Sequence, residues 1–289
     1  MSVKLGVRTD GISHDFDHAV KVMIEAGLDY AELQFLWDRE VGELDRDQRR
    51  QALAIVKKYG AKVSCVSRHV FVGLPMDTTR PNDEIHSHHM QGLANCIEMA
   101  HELECPTVRI MSGRREITLF GKTGADHWLA NDDPWSHLAP LIEPAVRVAE
   151  REGVTLVIET GLGGMVFSAW AGRKLIDEIG SGALKLLWDP ANCLHCHEAA
   201  WPEGYDWVRN GYIGHIHVKD LDMDTPKGMV AFREMGTGQM GQYLKPIADA
   251  LRTESYAGVV SLESVFRPDG GTFEDGFRMS VDLFRRTFG

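Results

Sequence analysis

The sequence predicts an α/β protein folded as a single (β/α)8 barrel, and three observations carry that prediction. Short β-branched runs alternate with longer segments of helical periodicity from one end of the chain to the other. Eight such pairs in 289 residues give about 36 residues per unit, the size of a barrel repeat. No linker rich in Pro, Gly or Ser, no low-complexity tract and no close repeat divides the chain, so residues 1–289 read as one domain. Parallel strands need crossover connections, and a helix between each pair of strands supplies them. An open doubly wound sheet is the alternative that strand counting alone leaves open.

The eight runs expected as strands are Lys4 to Arg8, Tyr30 to Gln34, Lys62 to Ser67, Thr107 to Met111, Thr155 to Thr160, Leu184 to Asp189, Ile213 to Lys219 and Val259 to Ser264. Between them apolar residues recur at i, i+3 and i+4. This predicts helices over Phe16 to Ala26, Arg46 to Tyr59, Ile85 to Leu103, Pro140 to Glu152, Ser168 to Ile179, Glu198 to Val208, Tyr243 to Leu251 and Phe273 to Phe288. Gly27, Gly60, Gly153 and Gly180 stand where a C′ glycine stops a helix. Ser112 to Trp135 is too long for a minimal connection and reads as the fourth βα loop, of the kind that forms lids and binding surfaces. Phe71 to Asp83 reads as a second such loop.

Composition excludes several function classes. With 44% hydrophobic and 25% charged residues the chain is neither disordered, collagenous nor a coiled coil. A net charge of −11 gives no attraction to polyanions, so nucleic acid is not an expected partner. No basic segment followed by an apolar run opens the chain, and no stretch nears the ~18 apolar residues of a membrane span. We therefore expect a soluble, cytoplasmic protein with no membrane partner. Five scattered cysteines (Cys65, Cys96, Cys105, Cys193, Cys196) read as reduced thiols rather than a disulfide framework.

In a barrel, chemistry sits where strands end. Strand five, TLVIET, is apolar until Glu159; strand six, LKLLWDP, until Asp189; strand seven carries His215 and His217; strand eight, GVVSLES, ends in Glu263. A carboxylate leaving an apolar strand costs several kcal/mol to bury unless it is paired or binds a metal. Four ligand-type side chains on neighbouring strands share one explanation, a divalent cation. Two Glu, one Asp and one His suit Mn²⁺ first, with Mg²⁺, Co²⁺ or Zn²⁺ tolerated. Taken singly, each carboxylate also reads as a helix cap or ion-pair partner, and Asp189 before Pro190 fits a cap. Period 2 places His215 and His217 on one face, with His217 nearer the active end as the ligand and His215 a hydrogen-bonded neighbour.

Other polar residues near strand ends are Glu32, Arg68, His69, Arg109, Lys219 and Arg267, read as rim charges or substrate contacts. Cys193-Leu194-His195-Cys196-His197 matches the C-x-x-C-H pattern of haem attachment, but it starts four residues after a strand-end Asp and reads as loop chemistry; a CxxC zinc site lacks a second ligand pair. His86, His88 and His89 open a helix and read as solvated. The Gly236-Thr237-Gly238 loop is too short to be a phosphate fingerprint.

On these residues the chain resembles the xylose isomerase-like TIM-barrel family of sugar isomerases and epimerases, including the D-tagatose 3-epimerase and inosose dehydratase groups. The matching segments are VIET with Glu159, WDPAN with Asp189 and Asn192, GHIHVKD with His217, Lys219 and Asp220, the GTG loop, and YAGVVSLES with Glu263. The resemblance implies a metal site of Glu159, Asp189, His217 and Glu263, with Glu159 and Glu263 exchanging a proton as general base and acid on a keto sugar or related derivative. Substrate contacts are expected at His69, Arg109, Asn192, Lys219 and Arg267. The ketose 3-epimerases have a His where Asn192 stands and HVGE where HVKD stands, which argues against a free ketohexose. A lyase or dehydratase on the same scaffold, with Lys219 or His69 as the extra acid, is the second reading. An endonuclease IV-like nuclease is disfavoured by the charge and by the missing His-rich strand ends, and a non-catalytic barrel by the presence of all four ligands. Trp128, Trp135 and Trp170 read as a subunit contact or as cover for the site, which leaves a homo-oligomer open.

Overall fold

The computed structural model describes residues 3–116 and 134–289. Eight parallel strands close into a barrel: β1 (Lys4–Arg8), β2 (Tyr30–Leu33), β3 (Lys62–Pro75), β4 (Thr107–Arg114), β5 (Thr155–Glu159), β6 (Leu184–Trp188), β7 (Ile213–Val218) and β8 (Val259–Leu262). Each pairs with its sequence neighbours, and β8 returns to β1 through Lys4↔Val259 to Val7↔Leu262, which closes the ring and removes the open-sheet alternative.

The outer helices are α1 (Phe16–Glu25), α2 (Arg46–Tyr59), α3 (Glu84–Glu102), α4 (Leu138–Glu152), α5 (Ala169–Ile179), α6 (Tyr205–Val208), α7 (Gly241–Thr253) and α8 (Phe273–Phe288). Local signals explain their limits. Asp45 and Gln48 form a reciprocal capping box at the start of α2, and Gly60 ends it at φ 65°. Apolar stripes such as Ala145, Val146 and Ala149 of α4 pack inward against the outer faces of the strands.

Four expectations change. β3 runs on to Pro75, pairing with Arg114 of β4, so the first part of the expected Phe71 to Asp83 loop is strand. The expected helix over Glu198 to Val208 is only its last turn, α6. Trp201, preceding Pro202, is extended (φ −142°, ψ 139°), and a proline both disfavours helix at the residue before it and lacks an N–H. Two hairpins appear on the strand C-terminal face, Phe35–Leu36 with Arg39–Glu40 and Asp220–Asp224 with Met229–Arg233. His86 is not solvated: it is buried, with Nε2 2.9 Å from the Leu141 carbonyl and Nδ1 accepting from Asn82 N–H. Most of the expected fourth βα loop, with Trp128, lies outside the described residues.

Alternation along the strands separates two interiors. Residues facing the helices form the main core, while Cys65, Val157 and Leu187 form a small apolar layer inside the barrel. One period further along the same strands stand Ser67, Glu159 and Asp189. The polar end of the barrel is thus built directly on an apolar floor. No helix among the described residues is long and apolar enough to cross a membrane.

Candidate metal centre

Glu159 at the end of β5, Asp189 just beyond β6, His217 in β7 and Glu263 just beyond β8 are all buried, and one ligand atom from each lies within 4.8 Å of the others. His217 Nδ1 is 3.5 Å from Glu159 Oε1 and 4.0 Å from Glu263 Oε2. That nitrogen is buried and has no hydrogen-bond partner, whereas Nε2 lies 2.8 Å from Glu32 Oε1. A buried, unpartnered imidazole nitrogen facing three carboxylates is what a hard divalent cation with one nitrogen ligand requires, so the donor set fits such an ion.

Asp189 fills both roles that the sequence left open. Its Oδ1 accepts from the backbone N–H of Ala191 and Asn192 and caps the short helix Pro190–Cys193, while Oδ2 is 2.5 Å from Lys219 Nζ. Lys219 also bonds Glu263 Oε2. Arg8 Nη1 donates to Glu263 Oε1 at 2.5 Å, and Arg109 Nη1 to Glu159 Oε2 at 2.9 Å. Glu159 is therefore oriented by one cationic side chain, Glu263 by two, and Asp189 shares Lys219 with Glu263.

Burial sets the electrostatics. Desolvation works to neutralise Glu159, but the Arg109 guanidinium and His217 outweigh it and hold the carboxyl at about 2. Glu263, equally desolvated, is kept well below the carboxylate range by Lys219 and Arg8. Asp189 moves the other way: burial, with the charges of Glu263 and Glu159 and against the pull of Lys219, pushes it up to about 7. His217 is disfavoured as a cation by burial, yet Glu32 and Glu159 raise it to about 10. The three carboxylates face the cationic Arg8, Arg109 and Lys219, and of the three only Asp189 is pushed toward its protonated form.

The structure gathers some of the expected substrate contacts and not others. Lys219 lies between two of the four candidate ligands, Asp189 and Glu263, rather than at the rim. Arg109 is buried, bonded to Glu159 and to the Ser67 carbonyl, and so fixes the Glu159 carboxylate. Asn192 donates from Nδ2 to the Thr160 carbonyl, which locks the Asp189 turn. His69 is half-buried beside Glu40, with Nδ1 2.7 Å from its carboxylate. Arg267 is exposed, 6.0 Å from the Phe273 ring centroid. Arg8 was missed, although it ends strand one as Glu159 ends strand five. Glu32, read as a rim charge, is completely buried. The C-x-x-C-H motif contributes no ligand: the potential metal groups among the described residues contain no cysteine.

A cavity of about 330 Å³ opens beside Arg8, lined by His14, Gln34, Phe35, Phe232 and Phe273 among others. A larger one, about 640 Å³, lies at the opposite end among strand starts such as Lys4, Tyr30 and Val259, away from the four ligands. The smaller cavity adjoins Arg8, the partner of Glu263, at the end of the barrel where the four candidate ligands converge.

The family model for the xylose isomerase-like TIM barrel matches residues 20–286. The chain belongs to this family. Solved structures of similar fold include an L-ribulose 3-epimerase (TM-score 0.70, 18% identity, covering 99% of this chain and 94% of that one). Another is a probable 3-DHS dehydratase, AsbF, from Bacillus anthracis (TM-score 0.73, 13% identity, 98% of each chain). A third is a xylose isomerase-like TIM barrel protein from Mycobacterium smegmatis in complex with magnesium (TM-score 0.64, 16% identity, 95% and 89%). No curated protein matches this chain by sequence. At these identities the likeness to solved structures extends to the fold, and in this xylose isomerase-like barrel the chemistry must be argued from its own residues.

Proposed function

We propose that this chain is a divalent-metal-dependent isomerase or epimerase acting on a keto sugar or sugar derivative, with Glu159 and Glu263 moving the proton. One observation carries the reading: four buried ligand-type side chains from four successive strands converge, with His217 Nδ1 left unpartnered among them. The sugar epimerases of the same fold and the magnesium-bound relative support it.

A bound divalent ion supplies a Lewis acid that polarises a carbonyl and offsets the charge developing on its oxygen when a neighbouring C–H proton leaves. The chain's own residues do the rest. Glu159 and Glu263 are ionised at neutral pH, and each has one oxygen tied to an arginine. Such carboxylates are positioned but weak bases, so they work only on a C–H already acidified by its carbonyl. Return of the proton to the opposite face gives epimerisation; return at the adjacent carbon gives isomerisation. Phe35, Phe232 and Phe273 offer apolar walls beside the site.

A lyase or dehydratase is the second reading, favoured by Lys219, whose ammonium touches both Asp189 and Glu263 and so offers a third acid for a departing hydroxyl. The test is proton exchange. Keto sugars incubated with the metal-loaded protein in D₂O should take up deuterium next to the carbonyl. Glu263→Gln should slow this by about 10²–10⁴-fold with the fold retained. Unchanged exchange in that variant refutes the mechanism, and a product lighter by one water selects the lyase reading.

A further inference from the structure

A neutral imidazole binds a cation only through its bare nitrogen, so the position of its proton decides whether His217 can serve as a ligand. Its Nε2 is 2.8 Å from Glu32 Oε1, while the other carboxylate oxygen, Oε2, is 2.9 Å from His215 Nε2. Ser67 Oγ donates to Oε1 at 2.5 Å, and Glu32 has no exposed surface. Carboxylate oxygens accept, so both histidines face Glu32 with donor nitrogens, and Nδ1 of His217, the nitrogen among the other carboxylates, is the one left to exchange its proton for a cation.

The backbone is shaped around this contact. The β2–β3 register shifts between Ala31 and Glu32, leaving Ser64 as the extra residue opposite. The β6–β7 register shifts between Leu186 and Leu187, leaving Gly214 as the extra residue immediately before His215. A Cβ on Gly214 would stand 2.7 Å from Lys185 Cβ and 2.8 Å from Val157 Cγ1, so that bulge takes only glycine. Bulges re-aim side chains, and these two aim Glu32 and His215 at one another across the barrel.

We propose that Glu32 is a positioning residue for the metal centre: with its oxygens fixed by His215 and Ser67, it keeps the His217 proton on Nε2 and turns bare Nδ1 toward Glu159, Asp189 and Glu263. This rests on the reading of those four residues as a metal site. The same atoms admit another assembly, with Glu32, His215 and His217 as ligands of their own ion, since they too lie within 4.8 Å of one another. Both Glu32 oxygens are already occupied by hydrogen bonds, which favours the positioning role.

The experiment compares the full-length wild type with Glu32→Gln, Glu32→Asp and His215→Gln. Mn²⁺ affinity is measured by chelator competition, and the histidine nitrogens are read by ¹⁵N NMR of the Zn²⁺-loaded protein. Wild type should bind one ion per chain, with His217 coordinated through Nδ1 and carrying a hydrogen-bonded Nε2–H. Glu32→Gln should bind Mn²⁺ about 10–100-fold more weakly and lose that Nε2–H signal. Glu32→Asp, which retains the carboxylate, should recover part of the affinity, and His215→Gln should fall between. A residue that only supported the fold would change the melting temperature and leave affinity and the nitrogen signals of the folded protein alone. If Glu32→Gln fails to fold, the wild-type spectrum and His215→Gln carry the test. Wild-type affinity in Glu32→Gln, or coordination through Nε2, overturns the proposal while leaving the metal centre standing. Two ions in wild type and one in Glu32→Gln make Glu32 a ligand and overturn it as well. A wild type that binds no ion overturns both this inference and the metal centre beneath it.

Discussion

Replacing Arg109 with methionine removes the cation that holds Glu159 and leaves a buried carboxylate without its strongest partner. Arg109 Nη1 is 2.9 Å from Glu159 Oε2, and both side chains are almost wholly buried. Breaking one side of such a pair costs about 3–5 kcal/mol. Linkage gives a matching figure: holding Glu159 at about 2 against an ordinary 4.5 corresponds to about 3 kcal/mol at neutral pH. With an unfolding entropy of about 2.1 cal/mol/K per residue, a chain of 289 residues loses about 1.6 °C per kcal/mol. Metal-free Arg109→Met should therefore melt about 5–8 °C below wild type at pH 7. The sign with pH follows from the lowered folded pKa: the stabilisation is complete above 4.5 and disappears as pH falls toward 2. Without Arg109 the buried carboxyl takes up its proton at higher pH, so the gap between the two proteins narrows on acidification. Scanning calorimetry of both proteins from pH 7 down to pH 3 measures it. An unchanged melting point at pH 7, or a gap that does not narrow, refutes the argument that this ion pair holds Glu159 ionised.

Gly214→Ala forces a methyl into Lys185 and Val157 and should cost about 1–3 kcal/mol, seen as a lower denaturant midpoint; wild-type stability would contradict the close packing of that bulge. Of the five thiols, Cys65, Cys96, Cys105 and Cys193 are buried, and burial pushes Cys96 and Cys105 up to about 12. Half-buried Cys196 should be the first to react with a thiol reagent at pH 8, giving one equivalent in the native protein and five in denaturant; rapid loss of several native thiols would contradict this. His89, lowered to about 4 by burial and by His88, accepts the Phe71 N–H as a neutral ring. The folded state then binds fewer protons than the unfolded chain between about pH 4 and 6.5, so stability should rise with pH across that window and be lost on acidification, less steeply in His89→Gln. Identical pH profiles would remove His89 from the account.

The barrel was legible because periodicity and strand count are local properties. The convergence of the candidate site was legible because Glu159, Asp189 and Glu263 each interrupt an apolar strand at its end. Glu32 was not, since Tyr30, Glu32 and Gln34 alternate with apolar Ala31 and Leu33 just as a half-wet strand would. In a closed barrel that second face looks inward, and the histidines it meets lie 183 and 185 residues away, beyond any spacing rule. Arg8 shows the same limit, for its partner Glu263 is 255 residues distant. His86 misled because its position at a helix start is a surface signal, and only the packing of α3 on α4 buries it. The extension of β3 to Pro75 escaped because Gly73 and Pro75 are loop signals, while irregular pairing with β4, shifted in register along the way, keeps the segment in the sheet.

Elemental analysis of the purified chain, alongside Glu159→Ala and Asp189→Ala prepared and reconstituted in the same way, tests the central claim most directly. The account predicts about one divalent ion per wild-type chain, Mn, Mg, Co or Zn, and its loss from both variants. A wild type that holds no stoichiometric ion after reconstitution, or variants that retain it in full, would contradict the metal centre and leave only the barrel established.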